Sequence, residues 1–502
     1  MPDTPLPLLI QGSRLLDPVS ELDDPAVEDL FLDGGRIAAR GAEAVSRAAA
    51  VAHRRIDGEG MLAVPGFVDA HYHSHDVLLR GLFEQWPLDV WSLHSFPSYY
   101  PPRSADEVAL RTALGAAECL LGGITTVQDM VTIVGPNRAH VDAVSAAYAE
   151  AGLRVCLALQ IGDRPTIDTM PFWREQLPAG IAQRFAAPIS PGAMQELVLA
   201  AMDAGARDGL SWALAPSTPE RCSEELLGWV RDASAQRGLR VFTHVYEARA
   251  QAVLARLRHQ RDGGSMIALL DRVGLLNERL TVAHGIWIAP HEIERMAAAG
   301  ASLASNPVAN LKLLDGVAPV HSYIEAGVNV GLGTDNCSCS DAHNIFQAMK
   351  MFAIFLAYQD GDGEQRAARR AFRAATLGSA RALGLEGEVG TLEVGRRADV
   401  VLIDTRNPAY RPLHSAVRQL VYGESGRNVH TVVAGGRVVV EGGRLVSLDE
   451  EALYRRADAA RAAVQADHAA LRDSHRDVLG HLWRIRRLVE DFPLDIDRLR
   501  LN

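Results

Sequence analysis

Four histidines and two acids, spread over most of the chain, have the chemistry to hold and use a metal ion: His71, His73, His244, His284, Glu247 and Asp335. His71-Tyr-His73 closes a short apolar run, and two His at i and i+2 on a strand share a face, so both can aim at one ion. Three imidazoles and one carboxylate suit a borderline ion such as Zn2+, with Fe2+ as the alternative. His71, His73 and His244 are therefore read as nitrogen ligands, and Asp335 as the oxygen ligand, of one divalent ion. A catalytic site of this kind leaves a position for water, whose pKa the ion lowers toward neutrality. Glu247 sits three residues past His244 and can overhang that water. Water attacking a ring carbon needs a group that removes a proton and redelivers it to the leaving nitrogen, and a carboxyl in a dry pocket does both. His284 is expected to polarise or orient the same water.

Each donor follows its own apolar, strand-like run, at 61–69, 239–243, 280–283 and 328–333. Ligands at the C-terminal ends of several parallel strands are where a β/α barrel builds its active site. Short apolar runs alternate with Ala-, Leu- and Arg-rich stretches, which predicts strands at 62–68, 124–129, 153–160, 211–215, 240–244, 281–284, 301–304 and 328–333. That makes the expected fold α/β: a (β/α)8 TIM-like barrel over 61–385. The hairpin signal Asp33-Gly-Gly-Arg36 near the start returns as Ala434-Gly-Gly-Arg437 near the end. With 390–404 and 416–423 also read as strands, residues 1–60 and 386–447 are expected to form one small β-sandwich from both chain ends. Residues 448–502 read as a helical extension, with Leu453, Ala457, Ala460, Val464 and Leu471 at helical spacing, packing on the barrel or on a second subunit. The stretch 166–191 is long and irregular, as functional excursions are.

Composition narrows the partners. The net charge of −11 argues against nucleic acid or an anionic membrane, both of which need clustered positive charge. The five Cys have no framework spacing, no run reaches membrane-spanning length, and the first residues lack a signal-peptide pattern, so a cytoplasmic homodimer or higher homo-oligomer is expected. Lysine occurs only at Lys312 and Lys350, so any mechanism needing a modified lysine has two places to find it.

Pro65-Gly-Phe-Val-Asp-Ala-His-Tyr-His73, Gly122-Gly-Ile-Thr-Thr-Val127, His244-x-x-Glu247, Ser305-Asn-Pro-Val-Ala-Asn-Leu-Lys-Leu313 and Gly331-Leu-Gly-Thr-Asp335 together resemble the amidohydrolase superfamily. The chain is most similar to the branch of cytosine, guanine and S-adenosylhomocysteine deaminases and triazine hydrolases. The resemblance implies a mononuclear site with the roles given above. Binuclear members of the superfamily carry a bridging carbamylated lysine at the end of the fourth strand, and Ser211–Ser217 here contains none. Some triazine-dechlorinating relatives replace the shuttle glutamate. Its presence as Glu247 favours aminohydrolysis. The chain departs from the family at Asn336-Cys-Ser-Cys-Ser-Asp341, where Cys337 and Cys339 stand beside a proposed ligand. It departs again at Tyr99 and Tyr100, where nucleoside-acting members place an acid for the ribose.

Trp86, Trp91, Phe96, Tyr99 and Tyr100 form an aromatic loop suited to stacking a planar ring. Gln160, ending the third strand, offers an amide to a ring edge. Asn306 and Asn310 follow the seventh strand, and His75 is expected at the pocket rim. The sequence thus points to a metal-dependent hydrolytic deaminase of a small nitrogen-rich heteroaromatic ring, releasing ammonia. The alternative is a triazine-type chloro- or alkylamino-hydrolase, or a cyclic amide hydrolase, at the same site.

Overall fold

A computed structural model describes residues 6–186, 190–205, 208–360 and 366–499. Its strands fall into two sheets of different character. The first is mixed and comes from both ends of the chain: β1 (Leu8–Leu15), β2 (Val27–Asp33), β3 (Arg36–Arg40), β4 (Arg54–Asp57) and β5 (Met61–Pro65) join β15 (Val400–Asp404), β16 (Val429–Ala434), β17 (Arg437–Glu441) and β18 (Arg444–Leu445). β5 pairs with β15 across more than 300 residues of sequence, with Ala63 opposite Leu402. Both hairpins turn on paired glycines with positive φ, Gly34-Gly35 and Gly435-Gly436, the conformation that tight two-residue turns require. The expected sandwich is one continuous sheet around its own core, which holds Leu8, Ile10, Leu30, Leu32, Ala63, Val400, Leu402 and Val433.

The second sheet is all parallel. It comprises β6 (Phe67–His73), β7 (Ile124–Val131), β8 (Arg154–Ile161), β9 (Leu210–Pro216), β10 (Val241–Val245), β11 (Leu280–His284), β12 (Ser302–Ser305), β13 (Asn329–Leu332) and β14 (Asp335–Asn336). From β6 to β13 each strand pairs with the next in sequence, as the βαβ reading required. β13 pairs with β12, whereas β14 pairs with β6, placing Asp335 opposite Tyr72 and Asn336 opposite His73. Only Gly333 and Thr334 separate β13 from β14. Gly333 N–H donates to Ser305 O, and Thr334 N–H donates to His71 O. The two segments are thus halves of one eighth strand, which closes the sheet into a (β/α)8 barrel. A Cβ on Gly333 would lie 2.2 Å from Asn306 Oδ1 and 2.7 Å from His71 O, so only glycine lets the last strand settle against the first.

Two sequence expectations are corrected. The run read as one strand at 62–68 is two, because Gly66 turns the chain out of the end sheet (β5) and into the barrel (β6). Residues 416–423, read as a strand, form the helix Ala416–Gly423. Ser415 caps it by accepting from Arg418 N–H, and its buried face is Ala416, Val417, Leu420 and Val421, a helical spacing.

The C-terminal extension is two helices, Glu450–Ser474 and Arg476–Asp491, lying over the mouth of the barrel. Val478, Leu482, Ile485 and Val489 share a core with Val90 and Leu93 of the Leu88–Ser95 helix and with Ile167, Met170, Trp173 and Phe185 of the irregular excursion. Among the described residues, no helix is long and apolar enough to cross a membrane.

Candidate active site

All the proposed donors gather at the C-terminal ends of the parallel strands. His71 and His73 end β6, His244 is the fourth residue of β10, His284 ends β11, and Asp335 opens β14. Parallel register does the gathering: Val245 lies opposite His284, and Asn336 lies opposite His73.

The ring geometry is tight. His71 Nε2 lies 3.2 Å from His73 Nε2, and His73 Nε2 lies 3.4 Å from His244 Nε2. Asp335 Oδ1 stands 3.6 Å from His71 Nε2 and 3.5 Å from His73 Nε2. His284 Nε2 is 3.6 Å from Glu247 Oε1 and 3.9 Å from Asp335 Oδ2. The far sides of three of the imidazoles explain their tautomers. His73 Nδ1 donates to Met130 O and His244 Nδ1 to Ser217 O, each at 2.6 Å, and His284 Nδ1 donates to Asn310 Oδ1 at 2.8 Å. A carbonyl can only accept, so in these three the protons sit on Nδ1 and Nε2 carries the lone pair. Bare lone pairs converging at these distances have nothing to donate to one another, and Asp335 Oδ2 is buried without a hydrogen-bond partner. A cation at their focus satisfies all of them. The residues therefore fit a divalent ion.

Burial sets the protonation states. It holds His71 and His73 well below the usual histidine range, helped by the neighbouring imidazoles, and pushes His244 and His284 down to about 4. All four are neutral near pH 7, the form that ligates metal. The same burial raises Asp335 to about 6 and lifts Glu247 well above the carboxylate range, where the charge of Asp335 adds to the effect. Three non-glycine residues here adopt positive φ: Tyr246 at 55°, His284 at 72° and Asp335 at 65°. Such backbone gathers where function over-determines it, and neither composition nor spacing announced it.

Beside the ring lies a cleft open to solvent. Trp91, Phe96, Gln160 and His75, expected near the substrate or rim, all line it, together with Glu247. Gln160 is held there by Thr132 and by Ser217 Oγ, which accepts from Nε2 at 3.0 Å.

Other expected contacts lie elsewhere. Trp86 does not line the cleft: its ring packs 4.8 Å from His94 and 5.9 Å from Phe83, under the Arg472 guanidinium of the C-terminal extension. Asn306 stands behind His284, with Nδ2 3.3 Å from the imidazole Nδ1, and so touches a site residue rather than the cleft. Tyr100 donates its hydroxyl to His94 O at 2.6 Å, and the Tyr99 ring packs on His475 and Phe185 while its hydroxyl reaches Thr166, so neither ring lines the cleft. Cys337 Sγ accepts from Arg80 Nε at 3.0 Å, and Cys339 Sγ donates to Asn336 O at 3.2 Å. Burial pushes both thiols upward, so neither offers a thiolate.

The sequence reading missed Thr166, Ser217 and Arg221, all on the cleft wall. Position offered a signal, because Ser217 and Arg221 directly follow the end of β9. Nothing local gave the direction of their side chains.

The amidohydrolase family model matches residues 62–439. The 5-methylthioadenosine/S-adenosylhomocysteine deaminase of Moorella thermoacetica is 32% identical over 402 residues, covering 80% of this chain and 86% of its own length. The 5'-deoxyadenosine deaminase of Methanothermobacter thermautotrophicus is 31% identical, covering 81% and 88% respectively. An adenosine deaminase of Xanthomonas campestris, solved with bound zinc, superimposes with a TM-score of 0.81 at 28% identity over 93% of this chain and 100% of its own. A triazine hydrolase of Arthrobacter aurescens gives a TM-score of 0.76 at 25% identity over 91% and 99%.

Proposed function

The chain belongs to the amidohydrolase family, and from that premise we propose that it is a metal-dependent hydrolytic deaminase of a planar, nitrogen-rich ring bearing an exocyclic amine. Hydrolysis of a carbon–nitrogen bond follows from the family and its named deaminases. The ring and the residue roles are our reading. One observation carries it: Glu247, a carboxyl with strongly raised proton affinity, lies 3.6 Å from His284 on the wall shared by the donor ring and the cleft.

His71, His73, His244 and Asp335 would hold one divalent ion, zinc first and iron as the alternative. When bound, such an ion lowers the pKa of a water and supplies the nucleophile at neutral pH. Glu247 takes the proton from the attacking water and returns it to the leaving amine nitrogen, so ammonia departs neutral. His284, neutral and fixed by Asn310, presents Nε2 to that water and orients it toward the ring carbon. Asn306 acts through His284 as a positioning residue. Trp91 and Phe96 flank the ring, and Gln160 offers its amide edge.

Ammonia release across aminopyrimidines, aminopurines, adenine nucleosides and triazines, scored against chloride and ring-opened products, tests the reading. Elemental analysis of protein purified without added metal tests the ion, with one per chain expected. A second reading, an adenine nucleoside as substrate, is favoured by the names of the relatives. Turnover of 5'-deoxyadenosine without turnover of free bases would establish it over the small ring.

A further inference from the structure

Among the described residues, Arg221 is the only lysine or arginine lining the cleft. Its described contacts are all with neutral groups: Nη1 donates to Ser217 Oγ at 3.1 Å, Nε donates to Arg164 O at 3.3 Å, and the guanidinium lies 5.6 Å from the centre of the Phe96 ring. A guanidinium offers about five N–H donors in a planar fork, and these contacts use two. Burial lowers its proton affinity, and the groups that oppose burial are Tyr99 and Cys222, not a carboxylate. The nearby acids are engaged elsewhere: Asp163 accepts from Ser223, and Glu220 accepts from Thr218.

A desolvated guanidinium without a counter-ion is unfavourable, and chains keep one where a ligand supplies the opposite charge. Its place on the wall gives it a use. Ser217, which receives its hydrogen bond, also accepts from His244 Nδ1 through its carbonyl at 2.6 Å. An anion on the guanidinium fork is thereby registered against the donor ring through one residue.

Resting on the deaminase reading, we propose that the substrate carries a carboxylate, which Arg221 receives as a charge-assisted pair and which fixes the ring for attack at its amine-bearing carbon. A carboxylate matches the planar fork, and Phe96 stacks beside the guanidinium to keep the pair dry.

The test uses the full, metal-replete chain with two isosteric pairs, read by calorimetric binding and by ammonia release. One pair is 4-aminopyrimidine-5-carboxylate and its carboxamide, and the other is adenosine-5'-carboxylate and its carboxamide. In at least one pair the carboxylate should bind about 30-fold or more tightly than the amide. Arg221→Gln should abolish that preference while leaving amide binding and thermal stability unchanged, and Arg221→Lys should restore part of it. Equal affinity within both pairs overturns the proposal. So does an Arg221→Gln variant that weakens acid and amide alike, which would make the residue a scaffold for Ser217 and Arg164. Should no compound release ammonia while the charge preference and its loss in Arg221→Gln persist, the deaminase reading falls and the anion site stands.

Discussion

The donor ring and the wall of the cleft are adjacent, yet they are built on opposite plans. The ring draws every member from a strand end and locks the imidazoles from behind: carbonyls of Met130 and Ser217 and the Asn310 amide hold three of them. The wall draws Trp91 and Phe96 from the Leu88–Ser95 region, Thr166 from the excursion and Arg221 from the turn after β9. Behind that wall stands apolar packing against helices near the C-terminus, with Arg249, two residues past Glu247, donating to Val489 O and Phe492 O. The ring is fixed by hydrogen-bonded register, and the wall by side chains meeting across hundreds of residues. Because their supports differ, the donor ring and the cleft wall can be perturbed separately in this molecule.

Glu247→Gln gives the largest expected effect on the ring side: metal content and fold are kept while kcat falls about 10²- to 10⁴-fold, since Gln copies the shape and cannot shuttle a proton. Normal kcat with verified metal would remove Glu247 from the chemistry. His73→Ala should lose the ion, and full occupancy in that variant would contradict the ligand assignment.

The wall is probed next. Leu482→Ala, in the core behind the cleft, should destabilise the protein by about 2–5 kcal/mol, read by denaturant unfolding, while metal content stays at one per chain. Loss of the ion in this variant would break the separation between ring and wall. Phe96→Ala should lower kcat/KM by about 1–3 kcal/mol, the size of a base–aromatic stack, with kcat less affected than KM. Trp86→Ala should do less than Phe96→Ala, because its ring faces His94 and Arg472. A larger effect at Trp86 would return the stacking role to it.

Much of the ring was legible because its determinants are local. An apolar β-branched run that ends in a ligand states both the strand and the end of the strand, and β6, β10, β11 and the β13–β14 pair all follow that grammar. Lysine scarcity was likewise readable without coordinates. The strand reading failed at 416–423, where a run of apolar residues too short for periodicity to decide became a helix once Ser415 capped it and its face found the barrel. It failed at 62–68 because Gly66 redirects the chain in a way that no hydrophobic pattern records.

Residue order alone was enough to pick out the candidate donors, their order around the barrel, the carboxyl proposed as proton shuttle and the joining of the two chain ends, since each rests on residues within one run or one hairpin. Which aromatics line the cleft emerged only with the fold. Trp86 and Trp91 lie five residues apart, one before the Leu88–Ser95 helix and one within it. They part company because His468, Arg472 and Leu482, nearly 400 residues later, cover one face of that segment and leave the other to the cleft. The same holds for Arg221, whose charge is plain in the sequence and whose lack of a carboxylate partner among the described residues exists only once the chain has folded around it.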